Sequence, residues 1–164
     1  MSEQQQLDVS FRRARPDEAG AIRELIVRSM GHWDHPPEYL EEARELMGLS
    51  GEDLERDEAW MVLADGRVSG FYRLSRAETS AAEIEEFHLE PPMIGRGIGK
   101  RMFEHASERA RAIGTRWLVW STDANALGFY VRMGGEITGT EPSGIEGEQP
   151  LTAMHLDLEA GVAP

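Results

Sequence analysis

Between Ala81 and Gly114 the chain reads AAEIEEFHLEPPMIGRGIGKRMFEHASERARAIG, and no other segment limits the available folds as much. AAEIEEFHL has strand character and is stopped by Pro91 and Pro92. Glycines at 95, 97 and 99 follow. Ile98, Met102, Ala106, Ala110 and Ile113 then recur at helical spacing until Gly114. A strand that passes through a glycine turn into an amphipathic helix belongs to proteins that mix both element types around one sheet.

The flanking segments extend this pattern. Residues 7 to 13, LDVSFRR, alternate as a first strand. Pro16, Asp17 and Glu18 form a helix start, and Ala19, Ile22, Leu25, Ile26 and Met30 mark one face of the helix that follows. GHWDHPP interrupts it; Tyr39, Leu40, Ala43, Leu46 and Met47 mark a second helix ended by Gly48, and Ser50 caps a short turn over GEDLER. EAWMVLA and RVSGFYRL flank DGR, whose Asp65-Gly66 is a hairpin signal. After the central segment come a strand at RWLVWST and a short helix at ANALGFYVRM closed by Gly134 and Gly135. A strand near 136 to 140, a Gly/Pro-rich loop and a last strand LTAMHLDL complete the chain. The order predicts a single α/β domain over residues 1–164, with its core at about 7–158: a mixed central β-sheet with helices on both faces.

Composition narrows the chemistry. Without cysteine there is no disulfide, thiolate metal site or cysteine nucleophile. No signal-peptide core or membrane-length apolar run is visible, so a soluble cytoplasmic protein with no membrane partner is expected. The net charge of −13 argues against nucleic acid as a partner. Residues 94 to 116 depart from that balance: Arg96, Lys100, Arg101, Arg109, Arg111 and Arg116 against Glu104 and Glu108 give a local +4, leaving −17 elsewhere. Such a segment suits a small anionic ligand, or equally a solvated helix face.

A glycine-rich turn opening a helix presents free backbone N–H groups and the positive end of the helix dipole, a setting for phosphate. Spacing decides which phosphate motif it is. The dinucleotide fingerprint G-x-G-x-x-G fails, because its third glycine falls on Lys100 or Met102. A P-loop fails twice, with Ile94 at its first glycine and Arg101 at its Ser/Thr. IGRGIG, Ile94 to Gly99, matches both later positions of the acyl-CoA loop Gln/Arg-x-x-Gly-x-Gly/Ala, with Ile94 replacing the polar first residue. Downstream, DANALGFYVRMGG places Asp123, Asn125, Ala126, Phe129, Tyr130 and Gly134 as in the later motif of the same family, and AEIEEFHLEP is similar to its central strand. By these segments the chain resembles the GNAT family of N-acetyltransferases over most of residues 7 to 158.

The resemblance implies a GNAT-like fold with splayed parallel central strands, EIEEFHL and RWLVWST, and acetyl-CoA in the cleft between them. It implies a pyrophosphate on the backbone N–H groups of Gly95, Arg96, Gly97, Ile98 and Gly99, with charge added by Arg96, Lys100 or Arg101, a thioester carbonyl held near Leu89, and further cofactor contacts from Ile94, Asn125 and Tyr130. The activity implied is direct acetyl transfer to the amine of a small-molecule acceptor in a ternary complex. Protein or peptide acetylation and a non-catalytic acyl-CoA sensor are the alternatives. Tyr130 is the candidate general acid, and Phe129 reads as packing. Glu83 and Glu85 are candidate bases; alternation sets them on one strand face and Glu86 and His88 on the other, unless a bulge intervenes. Each carboxylate also reads as a structural ion-pair partner. His32, Trp33, Tyr39, Glu86 and His88 are candidate acceptor ligands, with His35 beside them. Two histidines three apart in a proline-broken loop, without a third ligand, do not make a metal site, so no metal is expected. The exposed edges of such a sheet leave room for a homodimer.

Overall fold

The computed structural model describes residues 6–33, 35–46, 48–78, 80–145 and 147–160. Strands Val9–Arg13 (β1), Glu58–Ala64 (β2), Arg67–Glu78 (β3), Ala81–Leu89 (β4), Trp117–Thr122 (β5), Glu136–Glu141 (β6) and Leu151–Asp157 (β7) form one sheet in the order β1-β2-β3-β4-β5-β7-β6. Its neighbours are antiparallel except β4 and β5, which are parallel. Helices Ala19–Gly31 (α1), Pro37–Leu46 (α2), Gly51–Arg56 (α3), Ile98–Ala112 (α4) and Ala124–Arg132 (α5) complete the mixed α/β fold. Met47, expected on the face of α2, lies outside the described residues.

Local chemistry sets these boundaries. Pro16 opens a 3-10 turn, Pro16–Glu18, that leads into α1. Ser50 accepts a hydrogen bond from the Asp53 N–H while Asp53 accepts one from the Ser50 N–H, closing a reciprocal cap on α3. Asp123 caps α5 by accepting from the N–H groups of Asn125 and Ala126. Asp65 and Gly66 both have positive φ, 50° and 81°, as a two-residue hairpin requires, and they join β2 directly to β3.

Two apolar clusters sandwich the sheet. On one face Ile98, Met102, Phe103, Ala106 and Ala110 of α4 and Tyr130 of α5 pack on Val62, Tyr72, Leu74, Ile84, Leu118, Trp120 and Met154. On the other, Ile22 and Ile26 of α1 and Leu54 of α3 pack on Ala59, Met61 and Phe71. Of the residues chosen by spacing, Ile98, Met102, Ala106 and Ala110 are buried, while Ile113 caps the C-terminus of α4 and is only half-buried, so the apolar period locates the core face of that helix but runs one residue past its end.

Candidate active site

Strands β4 and β5 pair over three rungs only, Ala81 with Trp117, Ala82 with Leu118 and Glu83 with Val119. Beyond these, β4 runs on to Leu89 and β5 to Thr122 without pairing to each other. The sheet therefore opens as a wedge, as the resemblance implied. The side of β4 facing the wedge keeps backbone hydrogen-bonding capacity that a continuous ladder would use.

The turn beside the wedge leaves backbone donors free. Gly95 and Gly97 hold φ of 82° and 83°, in the region where only glycine is unstrained, and a Cβ on either would meet no atom within 4 Å. Gly97 is the N-cap of α4 and supplies no side-chain cap, so the N–H groups of the first turn are left for a ligand. Gly99 differs: a Cβ there would stand 3.3 Å from Phe129, so its missing side chain lets α4 approach α5. Ile94 is half-buried and extended, its N–H given to the Pro91 carbonyl. The residues present fit the diphosphate of an acyl-CoA.

The basic segment divides in two. Arg109 makes a bidentate pair with Glu58, Arg111 donates to the Leu158 carbonyl, and Arg116 pairs with Asp157, so these three hold the far end of α4 and the start of β5. Arg96, Lys100 and Arg101 flank the glycine turn, are exposed, and take part in none of the ion pairs among the described residues. Arg96 reaches only the Met93 sulfur, at 3.4 Å.

A β-bulge changes which side chains share a face of β4. Ile84 lies opposite Leu74 but Glu86 lies opposite Arg73, so Glu85 is an extra residue. Past it the alternation changes phase. Ala82, Ile84, Phe87 and Leu89 line the α4 side with Tyr72 and Leu74. Glu83, Glu86 and His88 share the opposite side with Ser75, Arg73 and Phe71. The simple alternation that separated Glu83 and Glu85 from Glu86 and His88 does not hold. The apolar spacing carries the signal for this: Ala82 and Ile84 are two apart, Ile84 and Phe87 three apart.

Around the wedge the polar groups are arranged as follows. Glu85 accepts a 2.6 Å hydrogen bond from Ser75 Oγ, and Glu141 one of 2.6 Å from Ser121 Oγ. Burial, then Glu85 and Glu141, push the Glu83 carboxyl above its ordinary value. Glu86 gives its carboxylate to Arg73, at 2.8 Å. His88 keeps some accessible surface, yet burial, opposed by Asp123, lowers its pKa to about 4 and leaves the ring neutral. Tyr130 is 6% exposed and ringed by Phe87, Phe103, Trp120 and Phe129. Burial, then Asp123, raise its phenol well above the usual range. Leu89 ends β4 against the core, and Asn125 is exposed in the first turn of α5.

The expected acceptor residues between α1 and α2 pair among themselves. His35 stacks on Tyr39 with ring centroids 4.1 Å apart, and exposed His32 meets Trp33 edge to face at 4.9 Å. Burial, then the charges of Asp123, the N-cap of α5, and of Glu148, before β7, raise the Tyr39 phenol. Arg28 of α1 grips Glu90 at 2.6 Å and so ties this layer to the end of β4. Among the described residues no group of three or more His, Asp or Glu side chains is placed to hold a metal ion, and no helix is long and apolar enough to cross a membrane. Arg73 and Asp57 went unremarked in the sequence because their partners lie far along the chain; the signal was a charged residue within an otherwise apolar strand, FYRL.

Comparison with known proteins identifies the family and the fold. The chain is 34% identical over 104 residues to streptothricin acetyltransferase of Streptomyces lavendulae, a match covering 61% of this chain and 55% of the relative. The chain thus spans about half the length of that relative. It is 28% identical over 133 residues to the peptidyl-lysine N-acetyltransferase YjaB of Salmonella typhimurium, covering 80% and 86% of the two chains. The fold is that of PaiA N-acetyltransferase from Thermoplasma acidophilum, solved with coenzyme A, at TM-score 0.75 and 16% identity over 92% of this chain and 99% of that one. The family model described as the acetyltransferase (GNAT) family matches residues 20–135. That match runs from the first turn of α1 to the glycines that close α5, and the chain belongs to this acetyltransferase family.

Proposed function

We propose that this protein transfers the acetyl group of acetyl-CoA directly to the amine of a small, cationic acceptor. The observation that carries this reading is the β4–β5 wedge opening beside the free N–H groups of the Gly95–Gly97 turn. Those N–H groups would hold the diphosphate, and Arg96, Lys100 and Arg101 would neutralise it. The unpaired backbone of β4 up to Leu89 would align the extended arm and the thioester carbonyl. Bound acetyl-CoA supplies an activated acyl group and a thiolate leaving group.

The chain's own groups then have distinct tasks. Glu83, raised by burial and by Glu85 and Glu141, is suited to accept the proton that the amine nitrogen loses as it adds to the thioester carbon, with Glu85 beside it. Tyr130 stays protonated throughout the working pH range. A phenol raised this far does not surrender its proton outright to a thiolate, whose conjugate acid has a pKa of roughly 8.5. Its task is to donate a hydrogen bond as charge develops on sulfur. The acceptor would lie between the face of β4 bearing Glu83 and His88 and the wall made by His32, Trp33, His35 and Tyr39. Asp123, Glu141 and Glu148 around this space favour a cationic acceptor over an anionic one.

The names of two relatives point to different acceptors, streptothricin and peptidyl-lysine. Thiol release should therefore be followed with acetyl-CoA against two panels, small amines and lysine-containing peptides. Turnover on small polycationic amines is expected. Turnover confined to peptides would move the acceptor to protein, and tight acetyl-CoA binding without release in either panel would make the chain a sensor.

A further inference from the structure

On the face of the sheet that carries Glu83 and His88 lies an ion cluster that the acetyl-transfer reading does not use. Arg73 of β3 donates from Nε to Glu86 at 2.8 Å and from Nη1 to Asp57 at 2.6 Å. The three side chains are 11%, 14% and 5% exposed. Asp57 closes α3 and is also held by Arg56 at 3.0 Å. One guanidinium thus joins the end of α3 to β4, and it meets β4 at the residue after the bulge.

We infer that Arg73 is a positioning residue for acetyl transfer: anchored on Asp57, it holds Glu86 and thereby fixes the β4 bulge that sets Glu83, Glu85 and the free backbone of the wedge in place. The inference rests on the acetyltransferase reading above. A strand with two consecutive glutamates can pair in two registers. In the bulged one Glu86, largely shielded, lies opposite Arg73; with the bulge removed, Glu85 would take that place and Phe87 would turn away from the α4 core. Apolar burial of Phe87 and Leu89 favours the bulge, but burying the Glu86 carboxylate opposes it unless a cation meets it. Arg73 removes that opposition. Lysine cannot replace it fully, since a single ammonium lacks the planar fork that faces Glu86 and Asp57 together.

The test compares Arg73→Met, Arg73→Lys, Glu86→Gln and the double variant Arg73→Met/Glu86→Gln in three measurements: steady-state turnover, acetyl-CoA affinity by calorimetry, and amide hydrogen exchange of β4. Arg73→Met should lower kcat by about tenfold or more, the scale expected for misplaced reacting groups. Acetyl-CoA affinity should change by less than about threefold, since the glycine turn is built separately. Exchange at residues 85–88 should accelerate while β1 and β2 stay protected. Arg73→Lys should fall between, and the double variant should recover turnover relative to Arg73→Met because a buried neutral amide no longer opposes the bulge. A folded Arg73→Met protein with parental kcat and parental β4 exchange would overturn the proposal, as would a double variant no better than Arg73→Met. If Arg73→Met does not fold, Arg73→Lys and Glu86→Gln decide it by the same exchange and kcat readouts. Should the parent chain acetylate none of the amines, the acetyl-transfer reading fails, while β4 exchange still decides whether Arg73 fixes the bulge.

Discussion

Glu83 pairs with Val119 at the last rung between β4 and β5, so the carboxylate proposed as the base stands where the sheet begins to open. Burial and two neighbouring carboxylates raise its pKa, and a base must be deprotonated to work. The acid limb of the pH–rate profile should therefore lie above the ordinary carboxylate value of 4.5, with activity rising as pH increases through it. Glu83→Gln should abolish that limb and lower kcat/KM by about a hundredfold. A profile unchanged by the substitution would move the role to Glu85 or to a water relay.

Tyr130→Phe isolates the hydroxyl. The ring packs among Phe87, Phe103, Trp120 and Phe129, and a phenylalanine fills the same space. Only burial and Asp123 act on the phenol, with no hydrogen bond among the described residues to lose. Stability should stay within about 0.5 kcal/mol of the parent. Turnover should fall by roughly ten- to a hundredfold with acetyl-CoA affinity preserved. Unchanged turnover would remove the proposed interaction with the leaving sulfur.

Two glycines of the turn should respond in opposite ways. Gly97→Val forces a β-branched residue to φ 83° and fills open space beside the turn, so acetyl-CoA binding should weaken at least tenfold, with about 1–2 kcal/mol of strain added. Gly99→Val instead presses a side chain onto Phe129, 3.3 Å from the Cβ. Its main effect should be a lower melting temperature, through separation of α4 and α5. Calorimetric titration and thermal unfolding of both variants distinguish a ligand glycine from a packing glycine.

The parts of this protein visible in the sequence are those set by short-range chemistry. Apolar period marks the buried face of α4, Asp65-Gly66 marks the β2–β3 turn, and Ser50 caps α3 from within the next few residues. Features set at long range were hidden. Arg73 is sixteen residues from Asp57 and thirteen from Glu86, and no local rule pairs them. Likewise, Arg109 and Arg116 looked like part of one positive patch until Glu58 and Asp157 met them. The bulge at Glu85 is an intermediate case. Its signature is present in the apolar spacing, but strict alternation over AAEIEEFHL obscures it.

His88 provides a stability measurement separate from catalysis. Burial lowers its pKa from 6.5 to about 4, so between those values the unfolded chain binds more protons than the folded one. The stability His88 contributes as a neutral ring is therefore complete above pH 6.5 and is lost progressively as pH falls to about 4. The loss amounts to at most about 3 kcal/mol. Glu18, held down to about 2 chiefly by its hydrogen bond from Arg12, acts in a lower window, losing its contribution between 4.5 and about 2. Denaturant midpoints of the parent and of His88→Gln at pH 7, 5.5 and 4.5 separate the two, because Glu18 and the other carboxylates are common to both proteins. The difference in stability between parent and variant should shrink as pH falls. A difference that stays constant with pH would show that His88 titrates normally and that burial does not keep its ring neutral.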